Sequence, residues 1–577
     1  MRIVLAQINS VVGDLAGNAR HISSCVEAAA RADADLVVFP ELAVSGYPPE
    51  DLLLKRHFVR RCYHSLLEIA TACLDIVAVV GVPLQDGEVV FNAAAVLAGG
   101  RVQAVHRKIW LPNYAVFDEK RYFAEGRDVL VLRLPRGRVG VNVCEDIWHA
   151  AGPSEEAVLS GGAQMVVNIS MSPYHVGKVG GREAMLSERA VDCGAWIVYL
   201  NGVGGQDELV FDGHSAVVSP HGVVVARAPQ FEEALLVHDL PLDAPRPAPA
   251  AGLAPGFWPV NEVQITGPTY CPNCMGTAPA GALRVRSVDL EPRLAEEEEV
   301  YRALVLGVRD YVEKNGFARV VIGLSGGIDS ALVAAIAVDA LGPARVVGVS
   351  MPSRYSSTAT QDDARMLAEN LGIEFHEIAI EAVFAAYLSA LESVLEGREP
   401  DATEENIQAR IRGNYLMALS NKFGYLVLTT GNKSEVAVGY ATLYGDMAGG
   451  FAAVKDVPKT MVYALSRYRN RVGSGDGPIP PSTIERPPSA ELRHGQLDQD
   501  YLPPYDLLDR IIEAYVVRDE SVEEMVEAGL DRKEVERVVA MVDGNEYKRR
   551  QAAPGVRITP KAFGKDRRLP ITNRFRG

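Results

Sequence analysis

A strand, a glycine-rich loop and a helix follow one another without a break in the C-terminal half of the chain. Apolar residues 319–324 predict a buried strand, residues 325–330 read Ser-Gly-Gly-Ile-Asp-Ser, and the alanine-rich residues 330–341 predict a helix. A second apolar segment, residues 345–350, follows that helix. Two buried strands joined by a helix lie parallel in one sheet, and helices cover both faces of such sheets. The pattern therefore predicts a doubly wound parallel α/β domain, and further strand–helix alternation extends it over residues 291–577.

The N-terminal part of the chain has many short apolar segments that predict strands, several of them buried on both faces. We expect a separate domain over residues 1–245. The stretch rich in proline and alanine that follows predicts a linker or irregular connection over residues 246–290. Glycine, proline and charged residues predict a mobile surface loop at residues 470–505. The predicted N-terminal strands are residues 3–8, 36–39, 76–82, 93–98, 139–143, 165–169, 197–200 and 216–219.

Length, charge and cysteine content limit the possible partners and location. The chain has 577 residues, which is too long for one hydrophobic core. Its net charge of −16 should repel nucleic acid and anionic membranes, so small molecules are the expected partners. The sequence has neither an apolar run of about 18 residues nor the basic and apolar regions of a secretory signal. The seven scattered cysteines do not indicate a disulfide framework. We therefore expect a cytoplasmic enzyme. We also expect a homo-oligomer.

The Ser-Gly-Gly-Ile-Asp-Ser loop has the chemistry of a pyrophosphate site. Gly326 and Gly327 allow the backbone to approach an anion closely, and the helix that follows offers free N–H groups. Ser325 and Ser330 add hydroxyl donors. Asp329 alone would repel phosphate, so a bridging Mg²⁺ explains its presence. The loop lacks the Gly-x-x-x-x-Gly-Lys-Ser/Thr pattern of a P-loop, and the alternative interpretation is an ordinary glycine-rich βα turn.

Further polar segments follow this loop in a specific order. Residues 429–435 read TTGNKSE at the end of a predicted strand, where open α/β sheets bind ligands, and residues 444–460 contain YGDM and KDVPKT. Each segment alone is also typical of a capped helix start or a solvated loop. The whole order, SGGIDS, EENIQARIRGN, TTGNKSE, YGDMAGGF and KDVPKT, resembles the NAD⁺ synthetase branch of the ATP-pyrophosphatase family. Members of that family adenylate a carbonyl oxygen and release pyrophosphate.

This resemblance covers about residues 291–577 and implies ATP, Mg²⁺ and deamido-NAD⁺ as ligands. Asp329 and Glu435 would share the Mg²⁺. The implied ATP-binding residues are Gly323, Leu324, Ser325, Gly326, Gly327, Ile328, Asp329, Ser330 and Thr430. The implied deamido-NAD⁺-binding residues are Asn406, Glu435, Lys459, which would contact a phosphate, and Lys548.

The C-terminal tail, residues 548–577, contains ten basic residues and one acidic residue. A nucleic-acid-binding tail is one interpretation of this composition. The tail also contains apolar side chains, among them Ile558 and Phe563, which favour an ordered segment near the dinucleotide or at a subunit interface.

Three residues with complementary chemistry stand at the ends of predicted strands in the N-terminal part. Glu41 closes LVVFPE, Lys108 lies in HRKIWLP, and Cys144 ends VGVNVC. A cysteine thiolate attacks an amide carbon, a neighbouring glutamate can take its proton and later activate water, and a lysine can stabilise the oxyanion. The charge of the lysine should also favour the thiolate. For a single cysteine, the alternative is a small buried hydrophobic residue.

The strings around these residues resemble the nitrilase superfamily over about residues 1–240. They read FPELAVSGYPPEDLL, HRKIWLPNYAVFDEKRYF and VCEDIW. The resemblance implies a four-layer α–β–β–α sandwich with a catalytic Glu41-Lys108-Cys144 amidase site that Glu119 helps to position. It also implies that glutamine is held by Tyr114, Ser172 and Lys178. Asp146, two residues after the cysteine, is expected to have a structural role.

Together the two halves predict delivery of nitrogen from glutamine to an adenylated acceptor. The expected products are NAD⁺, AMP, pyrophosphate and glutamate, and the ammonia should travel shielded from bulk water. The alternatives are an amidotransferase of the same ATP class with another acceptor, a tRNA-thiolating enzyme, and a non-enzymatic assembly protein. A thiolating enzyme would need a cysteine near the loop, and residues 291–577 contain none. Cys271 and Cys274 could form half of a zinc site, but no second pair accompanies them.

Overall fold

A computed structural model describes most of the chain and divides it into two compact units. The first unit comprises Met1–Gln206 and Phe211–Leu294, and the second comprises Asp207–Val210 and Ala295–Gly577. Cys271 and Cys274 lie outside the described residues. Within the described residues, no helix combines the length and apolar character that a membrane span requires. The described residues are 1–243, 247–249, 256–265, 285–286, 290–472 and 477–575.

In its described part, the first unit has two seven-stranded mixed sheets, and a two-stranded hairpin leads into residues 207–210, which belong to the second unit. Its helices are α1 (Leu15–Arg31), α2 (Arg56–Ala70), α3 (Pro153–Leu159) and α4 (Lys178–Cys193). Its strands are β1 (Arg2–Gln7), β2 (Leu36–Val38), β3 (Val77–Asp86), β4 (Val89–Ala98), β5 (Arg101–Arg107), β6 (Val129–Leu134), β7 (Gly137–Val143), β8 (Met165–Ser170), β9 (Trp196–Asn201), β10 (Val203–Gln206), β11 (Leu209–Asp212), β12 (Ala216–Val218), β13 (Val224–Arg227), β14 (Ala234–Asp239), β15 (Val260–Gln264) and β16 (Val285–Arg286). The sheet orders are β16-β14-β1-β2-β3-β4-β5 and β13-β12-β9-β8-β7-β6-β15, and β10 pairs with β11.

The side chains of each strand alternate between the two faces of its sheet, and this alternation forms the layers of the unit. Ile3 and Leu5 of β1 point into a core shared with β6–β9 of the other sheet. Val4 and Ala6, one residue out of phase, pack instead against α1 and α2. The outer face of the second sheet packs against α3 and α4 in a third core. Because side chains alternate across a strand, these buried strands can be apolar on both faces, and the predicted α–β–β–α sandwich is confirmed.

The second unit, as far as it is described, is built on a five-stranded sheet in the order β19-β18-β17-β20-β21. Its strands are β17 (Val320–Gly323), β18 (Val346–Ser350), β19 (Glu374–Glu377), β20 (Leu426–Thr429) and β21 (Phe451–Ala452). Every neighbouring pair is parallel, so the predicted parallel α/β class is confirmed. The helices are α5 (Glu296–Lys314), α6 (Ile328–Leu341), α7 (Thr358–Leu371), α8 (Glu381–Leu395), α9 (Ala402–Phe423), α10 (Lys433–Val438), α11 (Lys459–Val472), α12 (Pro481–Glu485), α13 (Tyr505–Ile512), α14 (Val522–Glu527), α15 (Arg532–Gly544) and α16 (Glu546–Arg549).

The strand order of the second unit reverses between β17 and β20. From β17 the chain passes to β18 and β19 on one side, and it then returns to β20 on the other side of β17. Such a switch point opens a crevice at the carboxyl ends of the two strands, and open α/β sheets bind ligands there. The Ser-Gly-Gly-Ile-Asp-Ser loop follows β17, and the Thr-Gly-Asn-Lys segment follows β20. Both segments that the sequence analysis predicts to bind ATP therefore meet at this crevice.

Two segments expected to be irregular contain regular structure. Within the expected connection 246–290, β15 pairs in parallel with β6 and β16 pairs in parallel with β14. Within the expected loop 470–505, α11 extends to Val472 and Pro481–Glu485 forms α12. Two of its polar side chains bond to the rest of the unit, since Arg486 and Ser482 both donate to Asp363.

The C-terminal tail is an ordered part of the second unit over its described residues. Three of its arginines are buried, and each pairs with a carboxylate: Arg549 with Glu546, Arg557 with Asp566, and Arg567 with Glu546 and Asp543. Ile558 and Phe563 are buried as well. Much of the basic charge is therefore neutralised within the fold, as expected for an ordered segment rather than a nucleic-acid-binding tail.

Candidate active sites

Cys144 lies at the sharp turn that ends β7 in the first unit. It begins a short 3₁₀ turn, Cys144–Ile147. Its φ of 45° lies in the left-handed region, which residues other than glycine rarely adopt. Asn168 of the adjacent β8 donates to the Cys144 carbonyl at 3.2 Å. Backbone strain of this kind persists where the surroundings fix it, and it occurs often at functional sites.

Asp146 fixes this turn against the segment that carries Lys108. One carboxylate oxygen accepts from the backbone N–H groups of Ile109 at 3.0 Å and Trp110 at 2.8 Å. The other accepts from the N–H of Val143 at 3.0 Å and lies 3.1 Å from His106 Nε2. A single buried carboxylate therefore holds the ends of β5 and β7 together, which is the kind of structural role expected for it.

Lys108 lies between two buried glutamates. Its Nζ donates to Glu41 Oε1 at 2.7 Å and to Glu119 Oε1 at 2.9 Å. Glu41 also accepts from Asn92 Nδ2 at 2.7 Å and from the Met171 N–H at 3.0 Å. These bonds leave little rotational freedom to Glu41, and the three charged side chains are almost completely removed from solvent.

Burial determines the protonation state of this group. It raises the pKa of the Cys144 thiol well above its usual range; the charge of Glu41 adds to this effect, whereas Lys108 opposes it. Burial lowers the pKa of Lys108, but Glu119 and Glu41 outweigh burial, and the pKa lies well above its ordinary value. Burial also raises the pKa of Glu119 to about 7 against the opposing charge of Lys108. The charge of Lys108 therefore acts in the expected direction, towards the thiolate, but burial outweighs it.

The three residues expected to hold glutamine lie in two segments, one of which contacts the residue after Cys144. Tyr114 is 57% exposed, and its hydroxyl donates to Glu145 Oε1 at 3.0 Å, directly after Cys144. Ser172 follows β8 and donates its N–H to Asn201 Oδ1 at 2.8 Å. Lys178 begins α4 and donates to the Pro173 carbonyl at 2.7 Å.

Sequence reasoning missed the asparagines that support this site. Asn92 lies in the apolar strand β4 and Asn168 in the apolar strand β8, and both are buried. Asn168 donates to Asn142 Oδ1 at 2.7 Å and accepts from Ser170 at 2.7 Å. A buried amide needs hydrogen-bond partners, so an asparagine inside an apolar strand was the signal that could have identified them.

In the second unit, the Ser-Gly-Gly-Ile-Asp-Ser loop has a shape that only glycine permits. Gly326 has a φ of 79°, and a Cβ at this position would lie 2.1 Å from the Thr360 carbonyl oxygen. Ser330 Oγ accepts from the Ser325 N–H at 3.3 Å and donates to the Gly327 carbonyl at 2.9 Å. The two serine hydroxyls expected to bind ATP therefore also hold the loop in shape.

Asp329 and Glu435 meet at the buried ammonium group of Lys459. Lys459 Nζ donates to Asp329 Oδ2 and, at 3.3 Å, to Glu435 Oε1. Asn432 Nδ2 also donates to Asp329, at 2.8 Å. Burial raises the pKa of Glu435 to about 8; Lys459 opposes this shift and Asp329 adds to it. The structure thus brings together the two predicted Mg²⁺ ligands and the predicted phosphate ligand.

These residues fit a magnesium ion that is completed by its substrate. Two carboxylate oxygens already share one cationic group, and hard oxygen ligands are what Mg²⁺ prefers. Within the described residues, no group of three or more His, Cys, Asp or Glu side chains is arranged to hold a metal. Two carboxylates that leave further positions for phosphate oxygens and water are typical of nucleotide-dependent Mg²⁺ sites.

The other predicted dinucleotide ligands converge on the loop that follows α10. Lys548 Nζ donates to the carbonyls of Gly439 at 2.7 Å and Ala441 at 2.9 Å. Asn406 Oδ1, on α9, accepts from the Thr442 hydroxyl at 2.7 Å. Asn406 and Lys548 therefore lie beyond the C-terminal end of α10, the helix that carries Glu435. Thr430 follows β20 directly and is half-buried.

Comparison with known proteins finds a matching family for each half of the chain. A model of the carbon-nitrogen hydrolase family matches residues 2–250, and a model of the NAD synthase family matches residues 300–552. A glutamine-dependent NAD(+) synthetase from Thermotoga maritima is 49% identical over 100% of this chain and 99% of its own length. One from Aquifex aeolicus is 46% identical over 100% of both chains.

Solved structures give the same result. The glutamine-dependent NAD+ synthetase from Acinetobacter baumannii in complex with ADP has a TM-score of 0.75 at 40% identity, over 99% of this chain and 98% of that chain. The enzyme from Cytophaga hutchinsonii shares the fold, with a TM-score of 0.80 at 22% identity over 99% and 98% of the two chains. The chain belongs to the glutamine-dependent NAD(+) synthetases, a family of ligases that join a glutaminase domain to an NAD synthase domain.

Proposed function

We propose that this chain converts deamido-NAD⁺ to NAD⁺ in two coupled half-reactions. A glutaminase domain over residues 1–245 releases ammonia from glutamine, and a synthetase domain over residues 291–577 activates the acceptor with ATP. Residues 246–290 connect the two. The products are NAD⁺, AMP, pyrophosphate and glutamate. The observation that carries this proposal is the pair of buried lysine–dicarboxylate clusters, at Lys108 and at Lys459, one in each unit.

In the glutaminase half, Cys144 is the nucleophile and Glu41 is the general base. Because burial keeps the thiol protonated, its proton passes to Glu41 as the sulfur attacks the side-chain amide carbon of glutamine. Glu41 then gives the proton to the leaving nitrogen, which departs as ammonia and leaves a thioester on Cys144. Water attacks the thioester, and Glu41 takes a proton from the water and returns it to the sulfur as glutamate leaves.

The other polar residues of this site bind or orient. Lys108 stabilises the oxyanion that forms on the amide oxygen, since its ammonium group is already fixed by two glutamates. Glu119 holds Lys108 in that position. Tyr114, Ser172 and Lys178 bind the α-amino and carboxylate end of glutamine, a proposal that rests on the matching nitrilase-like sequence around them.

In the synthetase half, the nicotinate carboxylate of deamido-NAD⁺ attacks the α-phosphorus of ATP and pyrophosphate leaves. Ammonia then attacks the carbonyl carbon of the adenylate, AMP leaves, and the extra proton passes to solvent. ATP is held by residues 323–330 and Thr430. Deamido-NAD⁺ is held by Asn406, Glu435, Lys459, which contacts a phosphate, and Lys548. Asp329 and Glu435 would hold the Mg²⁺, which when bound neutralises phosphate charge.

The test is to remove one half-reaction and measure both. Cys144→Ala should abolish NAD⁺ synthesis from glutamine and leave synthesis from ammonium largely intact, because the thiol takes no part in adenylation. Cys25→Ala is the matched control, since Cys25 is a buried cysteine of α1 in the same unit. Equal loss of both activities in a folded Cys144→Ala protein would contradict the two-site model.

The glutamate assay also separates the alternatives. Glutamate release that rises when deamido-NAD⁺ and ATP are added identifies the acceptor, whereas release that responds to another carboxylate would point to a different amidotransferase. We also propose a homo-oligomer, and light scattering should give a mass that is a multiple of 62.3 kDa.

A further inference from the structure

Arg412 differs from the buried arginines of the second unit in having no carboxylate partner. It lies on α9, and its Nε donates to the Met351 carbonyl at 3.0 Å. In the described part of the chain, that bond is the single hydrogen bond of its guanidinium, and no ion pair includes it. Arg412 is half-buried. Arg549, Arg557 and Arg567 are buried, and each of them binds a carboxylate.

The position of Arg412 is next to the ATP loop. Met351 follows β18 directly, at the carboxyl edge of the sheet where β17 leads into the loop. A Cβ on Gly323, the last residue of β17, would lie 3.2 Å from Met351 Cε and 3.4 Å from Leu416 Cδ1, one turn along α9 from Arg412. The guanidinium is therefore held at the same edge as the phosphate-binding loop.

The carboxylate of Glu491, which acts on Arg412, is hydrogen-bonded elsewhere. Glu491 raises the pKa of Arg412, but its carboxylate accepts from the Thr360 hydroxyl at 2.9 Å. Thr360 in turn has its carbonyl against Gly326 of the loop. Burial is the larger effect and lowers the pKa of Arg412 to about 10, so the guanidinium stays charged at neutral pH. A partly buried cation without a counter-ion is unfavourable, and it indicates a site for an anion.

We propose that Arg412 binds a phosphate oxygen of ATP through its two terminal nitrogens. The planar guanidinium can donate two parallel hydrogen bonds to a phosphate while Nε stays on Met351. This role deepens the proposed function, because it adds a nucleotide ligand from α9 to the loop after β17. A phosphate of deamido-NAD⁺ would satisfy the same chemistry, so the experiment compares the two nucleotides directly.

The test uses Arg412→Met and Arg412→Lys in the full chain, with Arg532→Met as the control. Arg532 is an exposed arginine on α15 that pairs with Glu536 at 3.3 Å. Calorimetric titration with ATP alone and with deamido-NAD⁺ alone gives the two affinities. Arg412→Met should weaken ATP binding by about 10- to 100-fold, the loss expected for hydrogen bonds to a charged group. Deamido-NAD⁺ binding should change by less than about twofold, within the range of a surface substitution.

Stability and rescue separate binding from a structural role. Without ATP, Arg412→Met should melt at the wild-type temperature or above it, because an unpaired cation is removed, and ATP should stabilise it less than the wild type. Arg412→Lys keeps the charge but loses the planar guanidinium that can donate two parallel hydrogen bonds, and should retain part of the ATP affinity. Unchanged ATP affinity in both variants, or a loss confined to deamido-NAD⁺ or equal for the two nucleotides, would overturn the proposal. ATP binding does not depend on the acceptor, so the result stands even if NAD⁺ synthesis is not the reaction.

Discussion

Replacing Lys108 with methionine should damage the first unit in two measurable ways. The ammonium group lies 2.7 Å from Glu41 and 2.9 Å from Glu119, and at an effective dielectric constant of ~20 each attraction is about 6 kcal/mol before desolvation is counted. Desolvation offsets much of this, and removing one partner of a buried ion pair typically destabilises a protein by about 3–5 kcal/mol. Loss of one oxyanion donor should also slow thioester formation by about 10²–10³-fold.

The two carboxylates would then face each other without a cation. Their bonded oxygens lie within about 6 Å of one another, so the negative charge of one favours protonation of the other. Glu119 should take that proton, since burial already raises its pKa to about 7 and Lys108 is the main charge that lowers it. Lys108→Met/Glu119→Gln removes this ionisable group, and should recover most of the stability but little of the activity.

Glutamate release and tryptophan fluorescence measure these effects separately. All four tryptophans, Trp110, Trp148, Trp196 and Trp258, lie in the first unit, so urea unfolding followed by their fluorescence reports on that unit. Lys120→Met is the control, since Lys120 is 57% exposed and pairs with Glu125 at 3.3 Å. If Lys108→Met releases glutamate at the wild-type rate, Lys108 is outside the chemistry and the Glu-Lys-Cys assignment is wrong.

Three further predictions concern the loop, the Mg²⁺ ligand and an ion cluster of the first unit. Asp329→Asn should reduce NAD⁺ synthesis from ammonium by orders of magnitude and leave basal glutamate release intact, whereas the exposed Asp362→Asn should leave both unchanged. Gly326→Ala should abolish ATP–pyrophosphate exchange because its Cβ meets the Thr360 carbonyl at 2.1 Å; Gly316→Ala, with a φ of 77° and open space around it, should lose only about 1–2 kcal/mol of stability. Burial opposes ionisation of Glu183, but hydrogen bonds from His214, Arg227 and Arg293 hold its pKa well below the ordinary value. This cluster should therefore stabilise the first unit above pH ~4.3 and lose that effect as the pH falls, and tryptophan-detected unfolding should show a weaker acid dependence in Glu183→Gln.

The sequence determines the fold wherever a local pattern has one structural solution. The predicted helix at residues 330–341 lies between two predicted parallel strands, so it had to form the crossover connection between them. The observed helix, α6, begins two residues before the predicted start. Strands β15 and β16 were missed because their pairing partners, β6 and β14, are far away in the chain, and a short edge strand has little periodicity of its own. The helix α12 within residues 470–505 was missed for a similar reason, since the segment is held by side chains such as Asp363 on another helix.

The site residues also divide into those that the sequence can suggest and those whose role depends on packing. Glu41, Lys108 and Cys144 each close a strand, and their residue types suffice to suggest a common chemistry. The pairing of Lys108 with two glutamates, the anchoring of Glu41 by Asn92 and the unpaired state of Arg412 are properties of three-dimensional packing. No spacing in the chain encodes them.

The buried, protonated thiol of Cys144 has a consequence for the survival of the protein under oxidative conditions. Peroxides and electrophiles react with thiolates, and the reaction slows in proportion as the thiolate fraction falls. Since burial raises the pKa of Cys144 and its side chain is almost closed to solvent, these reagents find little to attack in the resting protein. In the proposed mechanism, the sulfur becomes nucleophilic only as its proton passes to Glu41 during attack on the bound amide.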